Sequence, residues 1–303
     1  MKVLSLFDGI SCARVALDRA GIPVEAYYAS EIDKYAISIS QNNYPDIVQL
    51  GSVVDFHPTP IITGNIDLII GGSPCQDLSI AKANRKGLDG ERSGLFWEYV
   101  RILNEVKPKY FILENVASMS KESSDIISKE LGVQPIEINA SIFSAQDRKR
   151  LFWVGKRGGS IEHVHGKYFQ VDIEIPKVPC FTMLGDILES DVDEKYYYHD
   201  KSFQITDLTK RVIGTIDVAG HDILKRIYNR LMKSPTVTTC AGGNTQHKVF
   251  DNNRVRKLTP REYEALQSLP KDYTAGVSDS QRYKALGNAF NVDVVAHIIK
   301  HLI

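Results

Sequence analysis

The sequence predicts an α/β fold, a doubly wound parallel sheet that carries a smaller β-rich insert. Three observations predict it. Short apolar runs of strand length recur through the first half of the chain, each ending in a polar or glycine-rich turn. Helical spacing separates these runs, and βα alternation of this kind specifies a sheet covered by helices on both faces. After Gly158-Gly159 the alternation stops, and short β-like runs, turns and charge clusters take over until helical periodicity returns at Thr259.

In chain order, Val3 to Phe7 reads as a strand. Residues 12–20 follow as a helix, with Val15, Ala16, Leu17 and Ala20 apolar and Gly21 as its stop. Val24 to Ser30 is a second strand. Asp33 is placed to cap a helix running to about Asn42, before Pro45. Ile66 to Ile70 is a buried strand closed by Gly71-Gly72, Leu95 to Val106 is a helix ended by Lys107-Pro108, and Tyr110 to Leu113 is another buried strand. Ser124 to Leu131 is a helix closed by Gly132. Gln134 to Asn139 and Leu151 to Gly155 are later strands. Thr259 to Leu269 and Phe290 to Leu302 are the last helices. The simplest organisation is one domain made of residues 1–159 and 254–303, interrupted by an insert at 160–253.

Composition narrows the function classes. The chain has 303 residues and is 43% hydrophobic, enough for one large core and a second, smaller unit. Lys plus Arg and Asp plus Glu are both 37, so nucleic-acid binding would rely on a local basic face, not a global field. The four cysteines, Cys12, Cys75, Cys180 and Cys240, show no C-x-x-C spacing, which argues against a zinc site and a disulfide framework. No metal is expected. The N-terminus lacks the pattern of a signal peptide, and no apolar stretch approaches the roughly 20 residues of a membrane span. A soluble, cytoplasmic protein with no membrane partner is expected.

Five segments at strand ends can carry chemistry. Phe7-Asp8-Gly9-Ile10-Ser11 is a first βα turn in which glycine lets backbone approach a ligand, although it is not G-x-G-x-x-G. Glu31 lies about 20 positions on, where an acid can hold ribose hydroxyls; equally, Glu31 and Asp33 can serve a helix N-terminus. Cys75 follows the Gly-Gly turn, where a nucleophile is useful, while a small buried hydrophobe is the plain alternative. Glu114, in Glu114-Asn115-Val116, ends a buried strand among apolar neighbours, so an unpaired carboxyl there would be desolvated and able to act as a proton donor; an acid satisfied by loop amides is the alternative. Finally, in Gln146-Asp147-Arg148-Lys149-Arg150 the two arginines share one face of an extended segment and suit phosphate or base edges, unless they are simply solvated.

Together these segments resemble the DNA (cytosine-5) methyltransferase family over almost the whole chain. Its first turn is similar to Phe7-Asp8-Gly9, its acidic ribose ligand to Glu31, and its nucleophile motif to Pro74-Cys75-Gln76. Its Glu-Asn-Val motif matches Glu114-Asn115-Val116, and its Gln-x-Arg-x-Arg motif matches Gln146, Arg148 and Arg150. Arg256-Lys257-Leu258-Thr259-Pro260-Arg261-Glu262, Leu266 to Pro270 and Gly287-Asn288-Ala289 match its late motifs. Residues 71–96 resemble animal de novo methyltransferases, whereas the compact layout resembles bacterial and phage enzymes. One departure is Gly51-Ser52-Val53, where the family often has Asp after Gly. Another is Ala289, at a position where small polar residues are frequent.

The resemblance implies a Rossmann-like class I S-adenosylmethionine-dependent methyltransferase fold, with residues 160–253 as a target-recognition domain. It implies that Cys75 attacks cytosine C6 while Glu114 holds the N3 and amino edge. Arg150 would contact O2, and Arg148 the neighbouring phosphate or thiolate region. S-adenosylmethionine, leaving as S-adenosylhomocysteine, would be held by Phe7, Asp8, Gly9, Ile10, Ser11, Glu31, Ile32, Ser52, Val53, Pro74, Asn288, Ala289 and Phe290. Double-stranded DNA, with its target base flipped out, would be contacted by Gln76, Ser79, Arg85, Thr238, Thr239, Gly242 and Gly243. Asp77 to Gly94 would form a loop closing over that base. Lys167, Arg211, Lys225, Arg226, Arg230 and Lys233 could meet phosphates. The enzyme is expected to be a monomer, and a cognate restriction endonuclease is left open. An RNA (tRNA) cytosine-5 methyltransferase is the runner-up, and a non-catalytic regulatory paralogue a third reading.

Overall fold

The computed structural model describes the chain except residues 61, 63–64, 74–93, 159–167 and 241–243. The expected loop at Asp77 to Gly94 therefore lies almost wholly outside the described residues. Two compact units emerge. The first comprises Met1–Ile138, Lys149–Ile175 and Val294–Ile303; the second comprises Asn139–Arg148 and Pro176–Asp293.

The first unit follows the predicted alternation. It contains β1 (Lys2–Leu6), α1 (Cys12–Ala20), β2 (Ala26–Ser30), α2 (Lys34–Asn43), β3 (Val48–Gln49) and β4 (Leu68–Gly71). There follow α3 (Leu95–Val106), β5 (Tyr110–Val116), α4 (Lys121–Leu131), β6 (Pro135–Asn139), β7 (Lys149–Arg157) and β8 (Tyr168–Gln170). The sheet order is β3-β2-β1-β4-β5-β7-β6, with β8 added beside β7. β1 pairs in parallel with both β2 and β4, and β4 with β5, while β7 runs antiparallel to β5. Parallel strands covered on both faces read as unbroken apolar runs, and Val3, Leu4, Leu6, Leu68, Ile69 and Ile70 are all fully buried. Helix ends form where the sequence placed them. The Asp33 carboxylate accepts from the amides of Tyr35 (2.9 Å) and Ala36 (3.3 Å), and Gly21 and Gly132 close their helices with φ of 76° and 73°. Because strand order reverses at β1, its carboxyl end and that of β4 flank the crevice where open α/β sheets bind ligands.

The second unit has its own antiparallel-rich sheet, ordered β13-β12-β11-β10-β9. These strands are β9 (Phe203–Ile205), β10 (Val212–Ile216), β11 (Arg226–Tyr228), β12 (Lys248–Asp251) and β13 (Arg254–Lys257), with the one-turn α5 (Asp222–Lys225) leading into β11. Ile213, Ile216, Val218, Ile227 and Val255 form its apolar core. α6 (Pro260–Leu266) and α7 (Asp279–Asn288) belong to the same unit, and α8 (Val292–Leu302) leads back into the first.

The unit boundaries differ from those expected at 159/160 and 253/254. The cause is a hairpin. Asn252 and Asn253 both adopt left-handed φ, 49° and 62°, which gives the primed two-residue turn that joins tight antiparallel strands. β12 and β13 therefore pair directly, Lys248 opposite Lys257 and Asp251 opposite Arg254, and residues 254–293 stay with the small sheet. α6 then starts on a capping box. Thr259 Oγ1 accepts from the Glu262 amide (3.2 Å), Glu262 accepts from the Thr259 amide (2.7 Å), and Pro260 sits at the first turn. Among the described residues no helix is long and apolar enough to cross a membrane.

Candidate functional site

In the first unit, the described candidate residues gather at the carboxyl ends of β1, β2 and β5 and at the start of β7. After β1 the backbone turns through three left-handed residues, Phe7 (φ 57°), Gly9 (61°) and Ser11 (58°). The Gly9 amide donates to Glu31 Oε2 at 2.8 Å, and Glu31 Oε1 accepts from the amides of Ile32 (2.7 Å) and Asp33 (2.9 Å). The two readings of these acids thus divide between them. Asp33 caps α2, and Glu31 is an oriented carboxylate bridging two strand ends. Ile32 beside it is 77% exposed, and among the described residues a Cβ built on Gly9 would meet nothing within 4 Å, so these residues leave room over the turn for a ligand.

Other candidates in this unit turn inward. The Asp8 carboxylate accepts from Tyr27 Oη (2.7 Å) and from Ser11 Oγ, and Ser11 Oγ lies 2.6 Å from Ser40 Oγ. Burial pushes the Asp8 carboxyl up to about 6 against the pull of these hydroxyls. Ile10 and Val53 are buried apolar side chains, and Ser52 Oγ accepts from the Val54 amide (3.2 Å). Asp8, Ser11, Ile10 and Val53 thus turn their side chains into the protein around the turn. Tyr27 and Ser40 were missed. A buried tyrosine inside a strand of small residues, Ala26-Tyr27-Tyr28-Ala29-Ser30, is the signal, because its hydroxyl must find a partner.

Glu114 does not stay unpaired. In the β5–β7 ladder Val116 faces Arg150, and Glu114, two residues back on the same face, is Arg150's diagonal neighbour. Arg150 Nε reaches Glu114 Oε1 at 2.8 Å, and both side chains are only about one-seventh exposed (16% and 14%). This corrects the expectation of a carboxyl left unpaired among apolar neighbours. Asn115 points the other way and donates to Ser73 Oγ at 3.2 Å, fastening the backbone two residues before Cys75 to the residue after Glu114. Pro74, Cys75, Gln76, Ser79 and Arg85 lie outside the described residues.

Arg148 does not share the face of Arg150. β7 begins at Lys149, so strand alternation does not reach back to Arg148. Its guanidinium is buried in the second unit and donates to the carbonyls of Val237 (3.1 Å), Ala289 (3.0 Å) and Gly287 (3.4 Å). Gln146 works alongside it, accepting from the Val237 amide (3.0 Å) and donating to Leu266 O (2.8 Å). Arg148 thus holds the backbone at Val237, Gly287 and Ala289. Lys233 is likewise committed, to the carbonyls of Ser144, Cys180 and Thr182, and Arg211 is paired with Asp147 at 2.7 Å. Gly242 and Gly243 lie outside the described residues.

The same clamp presents Thr238 and Thr239 to solvent, and Thr239 Oγ1 donates to Asn288 Oδ1 at 2.7 Å. Ala289 beside it is buried and Phe290 half-buried. Gly287 lies directly on this loop: a Cβ there would stand 2.3 Å from the Thr239 amide nitrogen and 2.4 Å from Thr238 C and O. Gly287→Ala is therefore expected to lower stability by about 1–3 kcal/mol, the usual cost of overpacking. Urea unfolding of the two proteins checks this; an unchanged midpoint would contradict the packing.

A family model described as C-5 cytosine-specific DNA methylase matches residues 1–303. The chain belongs to this family. It is thereby an enzyme of the DNA (cytosine-5) methyltransferase class. Among curated relatives, the orphan methyltransferase M.SPRI of Bacillus phage SPR is 27% identical, covering 100% of this chain and 97% of that protein. The type II methyltransferase M1.ScrFI of Lactococcus lactis subsp. cremoris is 29% identical, covering 100% and 78%. The phage alignment runs over 432 positions, more than the 303 residues here, so that relative carries stretches with no counterpart in this chain. Among solved structures, the Entamoeba histolytica methyltransferase EhMeth superposes with a TM-score of 0.73 at 17% identity, covering 100% of this chain and 97% of that one. The S. pombe Dnmt2 methyltransferase superposes with a TM-score of 0.68 at 19% identity, covering 100% and 98%. The expected Rossmann-like class I methyltransferase fold is borne out.

Proposed function

We propose that this chain transfers a methyl group from S-adenosylmethionine to C5 of cytosine in double-stranded DNA, through a covalent Cys75 adduct on a flipped-out base. The single observation supporting this most directly is the Glu114–Arg150 pair at the end of β5, with Asn115 fastening the chain at Ser73, two residues before Cys75.

Cytosine C5 is a poor nucleophile until a thiolate adds to C6, which breaks the aromaticity and makes C5 enamine-like. Cys75 is assigned that addition. Glu114 is assigned the N3 and exocyclic amino edge, where a carboxyl group can both accept from the amino group and offset charge developing in the ring. Arg150 holds the Glu114 carboxylate and is assigned the O2 oxygen. A carboxylate and a guanidinium held 2.8 Å apart offer an acceptor and donors side by side, complementary to the mixed edge of cytosine. Loss of the C5 proton with re-formation of the C5–C6 double bond then expels the thiolate.

S-adenosylmethionine, when bound, supplies an electrophilic methyl group. The residues proposed to hold it are Phe7 and Gly9 at the β1 turn and Glu31, whose oriented carboxylate suits ribose hydroxyls. Ile32 is exposed beside Glu31. Thr238 and Thr239 are proposed to read DNA, Thr239 from an exposed position fixed by Asn288.

Bisulfite sequencing of DNA and RNA from cells expressing the chain tests the proposal and reports the recognised sequence. Glu114→Gln is expected to lower the methylation rate by about 10²–10⁴, the range for removing a general acid–base group. Methylation confined to RNA would transfer the assignment to the tRNA-type reading, and none in either would end it.

A further inference from the structure

The turn after β1 holds two side-chain-bearing residues, Phe7 and Ser11, in the left-handed region, with Gly9 between them. Left-handed backbone is strained at a non-glycine residue and persists only where surrounding contacts impose it. Ser11 precedes α1 at the cap position, yet its side chain makes no capping bond. Its hydroxyl is spent on Asp8 instead. The contacts that impose the turn converge on Asp8. Its amide donates to Ser30 O (3.1 Å), its carbonyl accepts from the Ser11 amide (3.2 Å), and its carboxylate collects Ser11 Oγ and Tyr27 Oη.

We infer that Asp8 is a positioning residue for cofactor binding: its ionised side chain, touching no ligand, clamps the Phe7–Ser11 turn in the shape that offers Gly9 and Glu31 to the cofactor. This rests on the assignment of that turn to S-adenosylmethionine. An ionised carboxylate accepts from both hydroxyls at once. A protonated one gives up part of that capacity and presents a donor where two donors already point. The titratable groups facing Asp8 are Tyr27 from β2 and Glu31 after it, and Glu31's charge works against Asp8's ionisation. Ser5, Ser11 and Ser40 contribute only hydroxyls.

A clamp of this kind acts against stability. The folded state keeps the Asp8 proton up to about 6, whereas the unfolded chain releases it near 4. The folded protein thus holds more protons between those values, and stability falls as pH rises through that window. At neutral pH the buried charge is a cost, retained for the shape it imposes.

The test is isothermal titration with S-adenosylhomocysteine, together with thermal unfolding, on the wild type, Asp8→Asn and Tyr27→Phe. Asp8→Asn is expected to melt higher than the wild type near neutral pH and yet bind S-adenosylhomocysteine about tenfold more weakly, as expected for loss of one charge-assisted bond. Wild-type affinity is expected to fall from about pH 7.5 to about pH 5.5, with the Asp8→Asn profile flat over the same window. Tyr27→Phe, which keeps the carboxylate and removes one donor, is expected to shift the wild-type profile to higher pH. Wild-type affinity in Asp8→Asn, or an unchanged pH profile in it, overturns the inference while leaving the cofactor assignment intact. No binding by the wild type at any pH overturns both.

Discussion

Cells expressing the Cys75→Ala chain are expected to yield DNA with no 5-methylcytosine above background. The reaction needs an electron-rich C5, and in neutral water cytosine has none; addition of sulfur to C6 creates it. An alanine methyl group cannot add. Removing the nucleophile of a covalent enzyme costs on the order of 10⁶ in rate, far more than any binding contact. A second measurement isolates the covalent step. Cytosine carrying fluorine at C5 has no proton to lose once the methyl group has arrived, so the sulfur–carbon bond persists. Wild-type protein is therefore expected to form a complex with fluorocytosine DNA that survives denaturation, whereas Cys75→Ala forms none. Methylation by the alanine variant, or absence of a trapped complex with the wild type, would remove Cys75 from the chemistry.

The largest stability effect is expected from Glu262→Ala. Glu262 and Arg256 are both fully buried, and the guanidinium forks onto the carboxylate with Nη1–Oε2 of 2.9 Å and Nη2–Oε1 of 2.8 Å. Arg256 Nε also reaches Asp251 Oδ2 at 3.1 Å, so one side chain joins β12, β13 and α6. Deleting Glu262 leaves a buried cation short of its partner and removes the capping box of α6. Breaking a buried pair from one side costs about 3–5 kcal/mol, and loss of the cap adds up to about 1 kcal/mol. Urea unfolding followed in the second unit reads this loss. The double variant Arg256→Met with Glu262→Leu is expected to recover a large part of it, because an apolar pair carries no unpaired charge. A loss under about 1 kcal/mol in Glu262→Ala would show the pair to be dispensable.

Much of the first unit was legible because its strands are buried on both faces, so that Ile69-Ile70 and Phe111-Ile112-Leu113 read as strands without ambiguity. Asp33 was legible as a cap because its chemistry is local. Less legible was whatever depended on partners distant in sequence. Nothing near Arg148 reveals that carbonyls 89 to 141 residues away will surround its guanidinium. The Glu114–Arg150 pair follows from ladder register, which no single segment encodes. α7 leaves little trace in the sequence because its buried side is small: Tyr283, Leu286 and Gly287 are its only buried residues, too few for a helical stripe. The Asn252-Asn253 turn was legible in principle, since asparagine tolerates left-handed backbone, but the apolar runs flanking it are short.

The hairpin at Asn252-Asn253 bears on how the second unit can be exchanged between relatives. A graft bounded at residues 160 and 253 would import β12 without β13 and part the pairs from Lys248–Lys257 to Asp251–Arg254. It would also bring in a new 236–239 segment while keeping the host's Gln146 and Gly287, on which that segment depends. A transplant that respects the architecture spans residues 176–293 and takes 139–148 with it. Exchanging the second unit is thus a two-segment operation, and chimaeras joined at 160 and 253 will take four strands of its sheet from one parent and the fifth, β13, from the other.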